Sequence, residues 1–170
     1  MPVEFSIEPL GAGHDRKVFS CGVPALDRYL HELATQDIRR RISNCFVALN
    51  TGGAIAGYYT LAAASLPLTD LSPDEAGRLP RYPLLPAALI GRLAVDQRFR
   101  GQGLGGALII DAARRAAAAD PAIFALIVDA KDEQAVTFYR HLGFSPFSSR
   151  PLSLYLSLAT ALKAWQAAQP

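Results

Sequence analysis

A glycine-rich segment, Arg100-Gly101-Gln102-Gly103-Leu104-Gly105, separates an apolar, strand-like run over residues 89–95 from an alanine-rich, helix-like run over residues 106–119. The glycines leave this turn without side-chain bulk, so its backbone N–H groups can converge on an anion at the positive end of the next helix dipole. A strand, a glycine turn and a helix in this order predict an α/β protein with a pyrophosphate-binding loop. Glycines also form ordinary turns, so the loop alone leaves that second interpretation open.

Two common nucleotide-binding motifs do not fit this loop. A Rossmann fingerprint needs a further glycine in another register and an acidic residue that closes a strand about twenty positions on. Here the third glycine is misplaced, and the helix-like run leads into Pro121 without that acidic residue. A Walker A loop needs a Gly-Lys-Ser/Thr sequence, which is absent from this segment.

The spacing Arg100-x-x-Gly103-x-Gly105 after Leu93-Ala94-Val95 resembles the acetyl-CoA pyrophosphate loop of the GNAT superfamily of N-acetyltransferases. A second block matches in register: Leu126-x-Val128, then Asp132, Ala135, Tyr139 and Gly143-Phe144. The resemblance implies a GNAT-like mixed β-sheet flanked by helices, with acetyl-CoA in a cleft between the central strands of Val95 and Val128. The cofactor contacts that it implies are Leu93, Ala94, Val95, Arg100, Gly101, Gln102, Gly103, Leu104, Gly105, Asp132 and Phe138.

Length and composition set the remaining bounds. A chain of 170 residues, 51% hydrophobic, predicts a single α/β domain over residues 1–170. No apolar run is regular enough to span a membrane and residues 1–4 do not resemble a secretory signal, so we expect a cytoplasmic protein. Two cysteines and three scattered histidines argue against a structural metal, and a net charge of +2 does not by itself indicate nucleic-acid binding.

Hydrophobic periodicity predicts the other elements. Strands are expected over residues 3–7, 45–49, 54–61, 87–96, 122–128 and 152–158, with a hairpin turn at Asn50-Thr51-Gly52-Gly53. Helices are expected from Pro24 to Arg39-Arg40-Arg41, over residues 104–119, from an Asp132 cap to Gly143, and over residues 159–168. Residues 66–86 are proline-rich and irregular, and Ser72-Pro73-Asp74-Glu75 predicts a short capped helix within them.

Acetyl transfer to an amine needs a neutral amine, a stabilised oxyanion and a proton for the departing thiolate. By the resemblance, Tyr139 donates that proton, because it lies eleven residues after Val128 and four before Gly143. The superfamily commonly places its catalytic tyrosine there, and a backbone N–H near the strand end, at Val95, would hold the oxyanion. The alternative is a Tyr139 ring that packs beside Phe138 and Phe144 with its hydroxyl bonded locally.

The strand before the loop lacks a carboxylate. Many superfamily members carry a glutamate base six residues before the position of Val95, whereas this chain has Leu89 there and no acid over residues 87–95. A lysine amine, with a pKa of about 10.4, needs help to lose its proton, whereas an α-amine near 8 is already partly neutral at pH 7. We therefore expect an α-amine acceptor, although water or a distant carboxylate can also serve as the base.

Further blocks resemble the acetyltransferase toxins of toxin–antitoxin modules. They are Phe19-x-Cys21-Gly22-x-x-Ala25-Leu26-Asp27-x-Tyr29-Leu30, Gly57-Tyr58-Tyr59, Gly91-Arg92-Leu93-Ala94-Val95-Asp96 and Val128-Asp129-Ala130-Lys131-Asp132-Glu133. This resemblance implies acetylation of the α-amine of aminoacyl-tRNA, a block of translation, a small ribbon-helix-helix antitoxin and a homodimer. The alternatives are an N-acetyltransferase for a small-molecule or protein amine, and a non-catalytic acyl-CoA-binding regulatory module.

The acceptor end of a tRNA needs a basic surface. Arginines supply the candidates, which are Arg28, Arg39, Arg40, Arg41, Arg81 and Arg92. Two other interpretations stay open at this point. Consecutive arginines can simply complement the negative end of a helix dipole, and Arg92 can form a salt bridge within the fold.

Overall fold

The computed structural model describes residues 4–168. Its strands are β1 (Ser6–Pro9), β2 (Asn44–Leu49), β3 (Ile55–Pro67), β4 (Leu84–Val95), β5 (Ala125–Asp129), β6 (Ser145–Pro146) and β7 (Ser153–Ser157). Its helices are α1 (Pro24–Arg28), α2 (Ala34–Arg39), α3 (Pro73–Gly77), α4 (Leu104–Ala117), α5 (Glu133–His141) and α6 (Leu158–Ala168). A π-helical turn, Tyr29–Leu33, joins α1 to α2, and 3₁₀ turns cover Leu68–Asp70 and Gln97–Phe99.

The strands form one mixed sheet in the order β1-β2-β3-β4-β5-β7-β6. Strands β4 and β5 pair in parallel, with Ala87 opposite Ala125 and Ile90 opposite Val128. The pairs β1–β2, β2–β3, β5–β7 and β6–β7 are antiparallel. The expected mixed sheet flanked by helices is therefore confirmed.

The chain divides into two compact units, and the first consists of residues 4–62 and 91–112. Alternation along β3 directs neighbouring side chains to opposite faces. Tyr58 packs in a core cluster with Leu30 and Ala34 of the helical segment. On the other face, the hydroxyl of Tyr59 donates a hydrogen bond of 2.6 Å to Asp111 of α4. Helices thus cover both faces of β3, and its residues 55–60 are all buried.

The second unit consists of residues 63–90 and 113–168. Its core contains residues of β3, β4, β5 and β7, and residues 125–128 of β5 are all buried, as their continuous apolar run predicts. The buried carboxylate of Asp70 fixes the connection between β3 and β4. It accepts hydrogen bonds from the backbone N–H of Ser149 at 3.0 Å and from its hydroxyl at 2.5 Å.

The predicted N-cap of the short helix α3 is present, but only one of its hydrogen bonds joins Ser72 to Glu75 as a capping box would. The hydroxyl of Ser72 accepts a hydrogen bond from the Glu75 N–H at 3.3 Å. In a complete capping box the glutamate would accept from the serine N–H. Here the Ser72 N–H instead bonds to the Tyr155 hydroxyl at 3.1 Å, and that hydroxyl donates to Glu75 at 2.9 Å. A strand residue eighty positions away from Glu75 therefore completes the cap.

Several predicted boundaries were wrong. Strand β3 continues to Pro67 and β4 begins at Leu84, so the irregular connection is shorter than the predicted 66–86. Strand β5 begins at Ala125 rather than at 122, because Pro86 on the neighbouring β4 lacks the N–H that would continue the ladder. Strand β1 begins at Ser6, and the Val3 part of that prediction lies outside the described residues.

The helix ends also differ slightly from the predictions. The α4 helix ends at Ala117, and α6 begins at Leu158, directly after β7. The π-helical turn, the 3₁₀ turns and the two-residue strand β6 were not predicted. Within residues 4–168, no helix has the length and apolar character needed to cross a membrane.

Gly57 is the position where the packing of β3 tolerates no side chain. A Cβ there would lie 3.0 Å from the Ala94 carbonyl oxygen and 3.2 Å from methyl groups of Leu104 and Leu108. We expect Gly57→Ala to lower the free energy of unfolding by about 1–3 kcal/mol, because the strand and α4 must separate slightly. Urea denaturation measures this, with Gly13→Ala as the control, since a Cβ at position 13 meets no heavy atom within 4 Å. Equal stability of the two variants would contradict the packing described.

Candidate active site

The glycine loop leads directly into α4 and has the backbone geometry of an anion-binding turn. Gly101 and Gly103 have φ angles of +77° and +75°, in the left-handed region that residues other than glycine rarely adopt. The backbone N–H groups of residues 103–106 donate no hydrogen bond to any residue between 4 and 168. Leu104 is buried and fixes the start of the helix. Free N–H groups at a helix N-terminus fit a pyrophosphate.

A buried carboxylate lies between the end of β4 and this loop. Asp96 is only 1% exposed and accepts hydrogen bonds from the backbone N–H groups of Ser20 at 3.0 Å and Arg98 at 2.9 Å. The Arg98 guanidinium adds two more, at 3.0 and 3.1 Å. Burial by itself raises the pKa of Asp96, but these hydrogen bonds outweigh burial and hold the pKa below its ordinary value. Asp96 is therefore ionised, and both of its carboxylate oxygens accept hydrogen bonds.

Arg100, a predicted cofactor contact, binds the chain near the N-terminus. Its guanidinium donates a hydrogen bond of 2.5 Å to the Cys21 carbonyl oxygen. The neighbouring Gly22 has a φ of +89°, and a Cβ there would lie 2.6 Å from the Gln97 side-chain nitrogen. The Cys21-Gly22 motif therefore has a structural role, because Cys21 accepts the hydrogen bond from Arg100 and Gly22 leaves room for the Gln97 side chain. A contact of Arg100 with pyrophosphate stays a prediction.

Arg92, on β4, does not form the salt bridge that was one interpretation of it. No carboxylate among residues 4–168 lies within salt-bridge distance of its guanidinium. The guanidinium instead stacks on the Tyr29 ring, with 3.6 Å between Cζ and the ring centroid. The sequence did not predict this pair, because the two residues are 63 positions apart and the motif around one of them does not indicate the other.

The three consecutive arginines surround the end of α2 and are exposed. Arg41 has a φ of +60°, and it is the one non-glycine residue with a positive φ among residues 4–168. Its N–H bonds to the Ile38 carbonyl, and the Ile42 N–H bonds to the Asp37 carbonyl. This is the Schellman motif, which usually places glycine where Arg41 stands. Among the other candidates, Arg28 pairs with Glu32 at 3.1 Å, and Arg81 is exposed.

Tyr139, the predicted acid, lies on α5 in the second unit. Asp132 caps this helix by accepting the Ala135 N–H at 2.8 Å, and Gly143, with a φ of +104°, follows its end. Both predictions of the helix boundary are confirmed. The predicted contacts of Asp132 and of the exposed Phe138 with the cofactor stay predictions.

The alternative interpretation of Tyr139 was a ring packed beside Phe138 and Phe144 with a locally bonded hydroxyl, and only the packing is observed. The ring packs edge-on against Phe138 and Phe144, with centroid distances of 5.2 and 5.6 Å. Its hydroxyl, however, has no hydrogen-bond partner among residues 4–168. Burial raises the pKa of the phenol above its ordinary value. The side chain is thus a protonated phenol with a free hydroxyl, as a general acid requires.

Comparison with known proteins identifies this arrangement. The acetyltransferase (GNAT) domain family matches residues 41–146. The chain belongs to the GNAT acetyltransferase family. It is an N-acetyltransferase with acetyl-CoA as its donor, and the expected fold, enzyme class and co-substrate are confirmed.

Individual relatives are toxins, which confirms the narrower resemblance. A tRNA-acetylating toxin of Mycobacterium tuberculosis is 37% identical over 145 residues, covering 84% of this acetyltransferase and 86% of the relative. The solved structure of AtaT complexed with acetyl-methionyl-tRNAfMet is 28% identical, with a TM-score of 0.86, covering 95% of this chain and 99% of that one. A tyrosine-to-phenylalanine AtaT variant, bound to the C-terminus of the antitoxin AtaR and acetyl-CoA, is 27% identical with a TM-score of 0.77, covering 95% and 98%.

Neither cysteine of the acetyltransferase is suited to nucleophilic catalysis. Burial raises the pKa of the Cys45 thiol to about 12, and it also raises the pKa of Cys21. A thiol must ionise to react as a nucleophile, so both are inert near neutral pH. No group of histidine, cysteine, aspartate and glutamate side chains among residues 4–168 is arranged to hold a metal ion.

One cavity of the second unit, of about 380 Å³, contains none of the predicted site residues. Its lining includes polar side chains and the indole of Trp165: Glu75, Arg78, Ser145, Tyr155, Ser157, Thr160 and Trp165.

Gly103 and Gly53 allow backbone strain to be separated from cofactor binding. Both have left-handed φ angles, +75° and +83°, and a Cβ at either position meets no heavy atom within 4 Å. Replacement of either by alanine should therefore cost similar stability, roughly 1 kcal/mol. Only Gly103→Ala should also weaken acetyl-CoA binding, by about tenfold in isothermal titration calorimetry, because its N–H is displaced. Equal acetyl-CoA affinity in both variants would place the pyrophosphate elsewhere.

Proposed function

We propose that this acetyltransferase transfers the acetyl group of acetyl-CoA to the α-amine of aminoacyl-tRNA and acts as the toxin of a toxin–antitoxin pair. The observation that carries the proposal is its similarity to the M. tuberculosis tRNA-acetylating toxin over 84% of the chain. The complex of AtaT with acetyl-methionyl-tRNAfMet supports the same substrate class. Acetylation of the amine removes the nucleophile that peptide-bond formation needs, so translation stops.

The first unit supplies the groups for the donor. The pyrophosphate of acetyl-CoA would be held by the N–H groups of the loop, with charge from Arg100 if its bond to Cys21 is exchanged. These loop residues are Gly101, Gln102, Gly103, Leu104 and Gly105. The N–H of Val95, next to Leu93 and Ala94 on β4, would stabilise the developing oxyanion. Acetyl-CoA itself supplies the thioester that the amine attacks.

Proton transfer in this proposal uses one side chain and no dedicated base. Tyr139 gives its proton to the departing thiolate, because its hydroxyl is free and burial keeps it protonated. Asp96 cannot serve as the base, since its oxygens accept four hydrogen bonds and its pKa is low. The ester bond of an aminoacyl-tRNA withdraws electrons from the α-amine and lowers its pKa. Such an amine is sufficiently neutral without a strong base.

The tRNA would be held by arginines of the first unit. Arg39, Arg40 and Arg41 are consecutive and exposed, so their guanidinium groups can reach phosphate oxygens. Arg41 remains in a conformation that glycine would adopt at lower cost, which is explained if its side chain has a function. Arg92 would act nearest the reaction, on β4. Arg28 is less suited, because Glu32 already neutralises it.

The proposal includes a partner and an assembly. The AtaT structure with the C-terminus of AtaR supports an antitoxin that binds the toxin directly. We propose a small ribbon-helix-helix antitoxin, a toxin homodimer and a cytoplasmic location, where acetyl-CoA and charged tRNA both occur. Size-exclusion chromatography with light scattering of the toxin, alone and with the product of the adjacent gene, tests the first two.

Tyr139→Phe tests the acid. We expect kcat for acetylation of total aminoacyl-tRNA to fall roughly 100-fold or more, with acetyl-CoA affinity within about twofold of the wild type. Because burial raises the pKa of Tyr139, the wild-type rate should rise as the acceptor amine loses its proton between pH 6 and 8.5, without a falling limb. Single-turnover transfer of labelled acetyl measures both. An unchanged rate in Tyr139→Phe would rule out this residue as the acid. Transfer of acetyl to small amines, with no transfer to charged tRNA, would refute the proposed toxin function.

Arg41→Gly separates stability from substrate binding at the end of α2. Glycine relieves the left-handed strain, so the free energy of unfolding should rise by roughly 0.5–1 kcal/mol. The kcat/KM for aminoacyl-tRNA should nevertheless fall, and replacement of Arg39, Arg40 and Arg41 by glutamate should abolish it, because phosphate contacts are lost. Acetyl-CoA binding is the control and should not change. A glutamate triple variant with wild-type kcat/KM would show that this patch is an ordinary solvated surface.

A further inference from the structure

The guanidinium of Arg92 stacks on the ring of Tyr29 in the first unit. Tyr29 is 2% exposed, Arg92 is half-buried, and 3.6 Å separate the guanidinium carbon from the ring centroid. At this distance the negative face of the ring attracts the cation, and the planar contact fixes how the guanidinium is oriented. The stack covers one face of the guanidinium.

The Tyr29 ring is itself held by several contacts. It lies nearly parallel to the Tyr58 ring, at 6.3 Å and 14°, and its hydroxyl donates a hydrogen bond of 2.8 Å to Asp37. The hydroxyl also lies 3.3 Å from the Ser43 hydroxyl. These contacts fix both the plane of the ring and its outer end.

The π-helical turn explains how Tyr29 reaches Asp37. The Ala34 N–H bonds to the Tyr29 carbonyl, five residues back, which places one extra residue in that turn. In a regular α-helix, residues seven apart share a face, whereas Tyr29 and Asp37 are eight apart. The extra residue brings them onto the same face, and π-turns of this kind are frequent at functional sites.

The donors of Arg92 remain available to a ligand. Within residues 4–168 its guanidinium makes neither a hydrogen bond nor a salt bridge. Stacking covers a face and leaves the in-plane N–H groups free, and these form the fork that binds phosphate in bidentate fashion. Arg92 lies three residues before Val95, about 10 Å along an extended strand. That separation suits a phosphate of the acceptor end better than the reacting amine.

We infer that Tyr29 is a positioning residue that holds Arg92 for a phosphate of the tRNA acceptor end. The inference rests on the proposed function, which supplies the nucleic-acid substrate. Tyr29 touches neither donor nor acceptor and acts through Arg92. Loss of either residue should therefore have the same consequence, and loss of both should add little.

The test compares Tyr29→Leu, Arg92→Gln and the double variant with wild type, using kcat/KM for aminoacyl-tRNA and its dependence on salt. We expect each single variant to lose about tenfold and the double variant no more than Arg92→Gln alone. The slope of log kcat/KM against log salt should become shallower by about one in all three, as for one lost phosphate contact. Tyr29→Phe, which keeps the ring, should retain the wild-type slope. Arg114→Gln, which removes the same charge from an exposed site on α4, controls for net charge.

Acetyl-CoA affinity and thermal unfolding are measured in parallel, because loss of a buried ring also lowers stability. A variant Tyr29→Leu that is less stable but keeps the wild-type salt slope would overturn the inference, as would additive losses in the double variant. Binding of deacylated tRNA by fluorescence anisotropy keeps the result independent of catalysis. If wild type binds this tRNA with the expected variant pattern but transfers no acetyl group to charged tRNA, the proposed function fails and the positioning role stands. Absence of both binding and transfer overturns both.

Discussion

The first unit of this acetyltransferase depends on the ionised, buried carboxylate of Asp96. A carboxylate removed from water is very unfavourable unless its oxygens are matched by donors, and here four hydrogen bonds from Ser20 and Arg98 match them. Those bonds end β4 at Val95, start the 3₁₀ turn of Gln97–Phe99 and attach the segment before α1 to it. The position of the glycine loop follows from that turn, because the loop begins directly after it.

Left-handed backbone occurs at three places in the first unit. Gly22, Gly101 and Gly103 lie in the glycine loop or in the segment that Arg100 holds beside it, Arg41 follows the end of α2, and Gly53 lies in the hairpin after β2. Glycine tolerates this conformation, whereas an arginine does so at a cost that packing must offset. Arg41, Arg92 and Arg100 use the same chemistry differently: one is exposed at a helix end, one stacks on a ring, and one binds a backbone carbonyl.

Tyr139 has the properties of a general acid, whereas β4 carries no carboxylate over residues 87–95. Burial in an aromatic environment keeps Tyr139 protonated while its hydroxyl stays free of local partners. The nearest carboxylate to the end of β4 in sequence, Asp96, is used for structure. An acceptor that is already neutral needs no such base, and the α-amine of an aminoacyl ester meets that condition better than a lysine does.

The sequence by itself determined the features that depend on local order. These include the glycine loop before α4, the Asp132 cap and Gly143 stop of α5, the hairpin after β2, and the position of Tyr139, since spacing and turn chemistry act over a few residues. Only the tertiary structure decided which distant groups meet. The ties from Asp96 to Ser20, from Arg92 to Tyr29 and from Tyr155 to the α3 cap join residues 63 to 83 positions apart. Such contacts leave no periodic signal, because they depend on which strands and helices pack together.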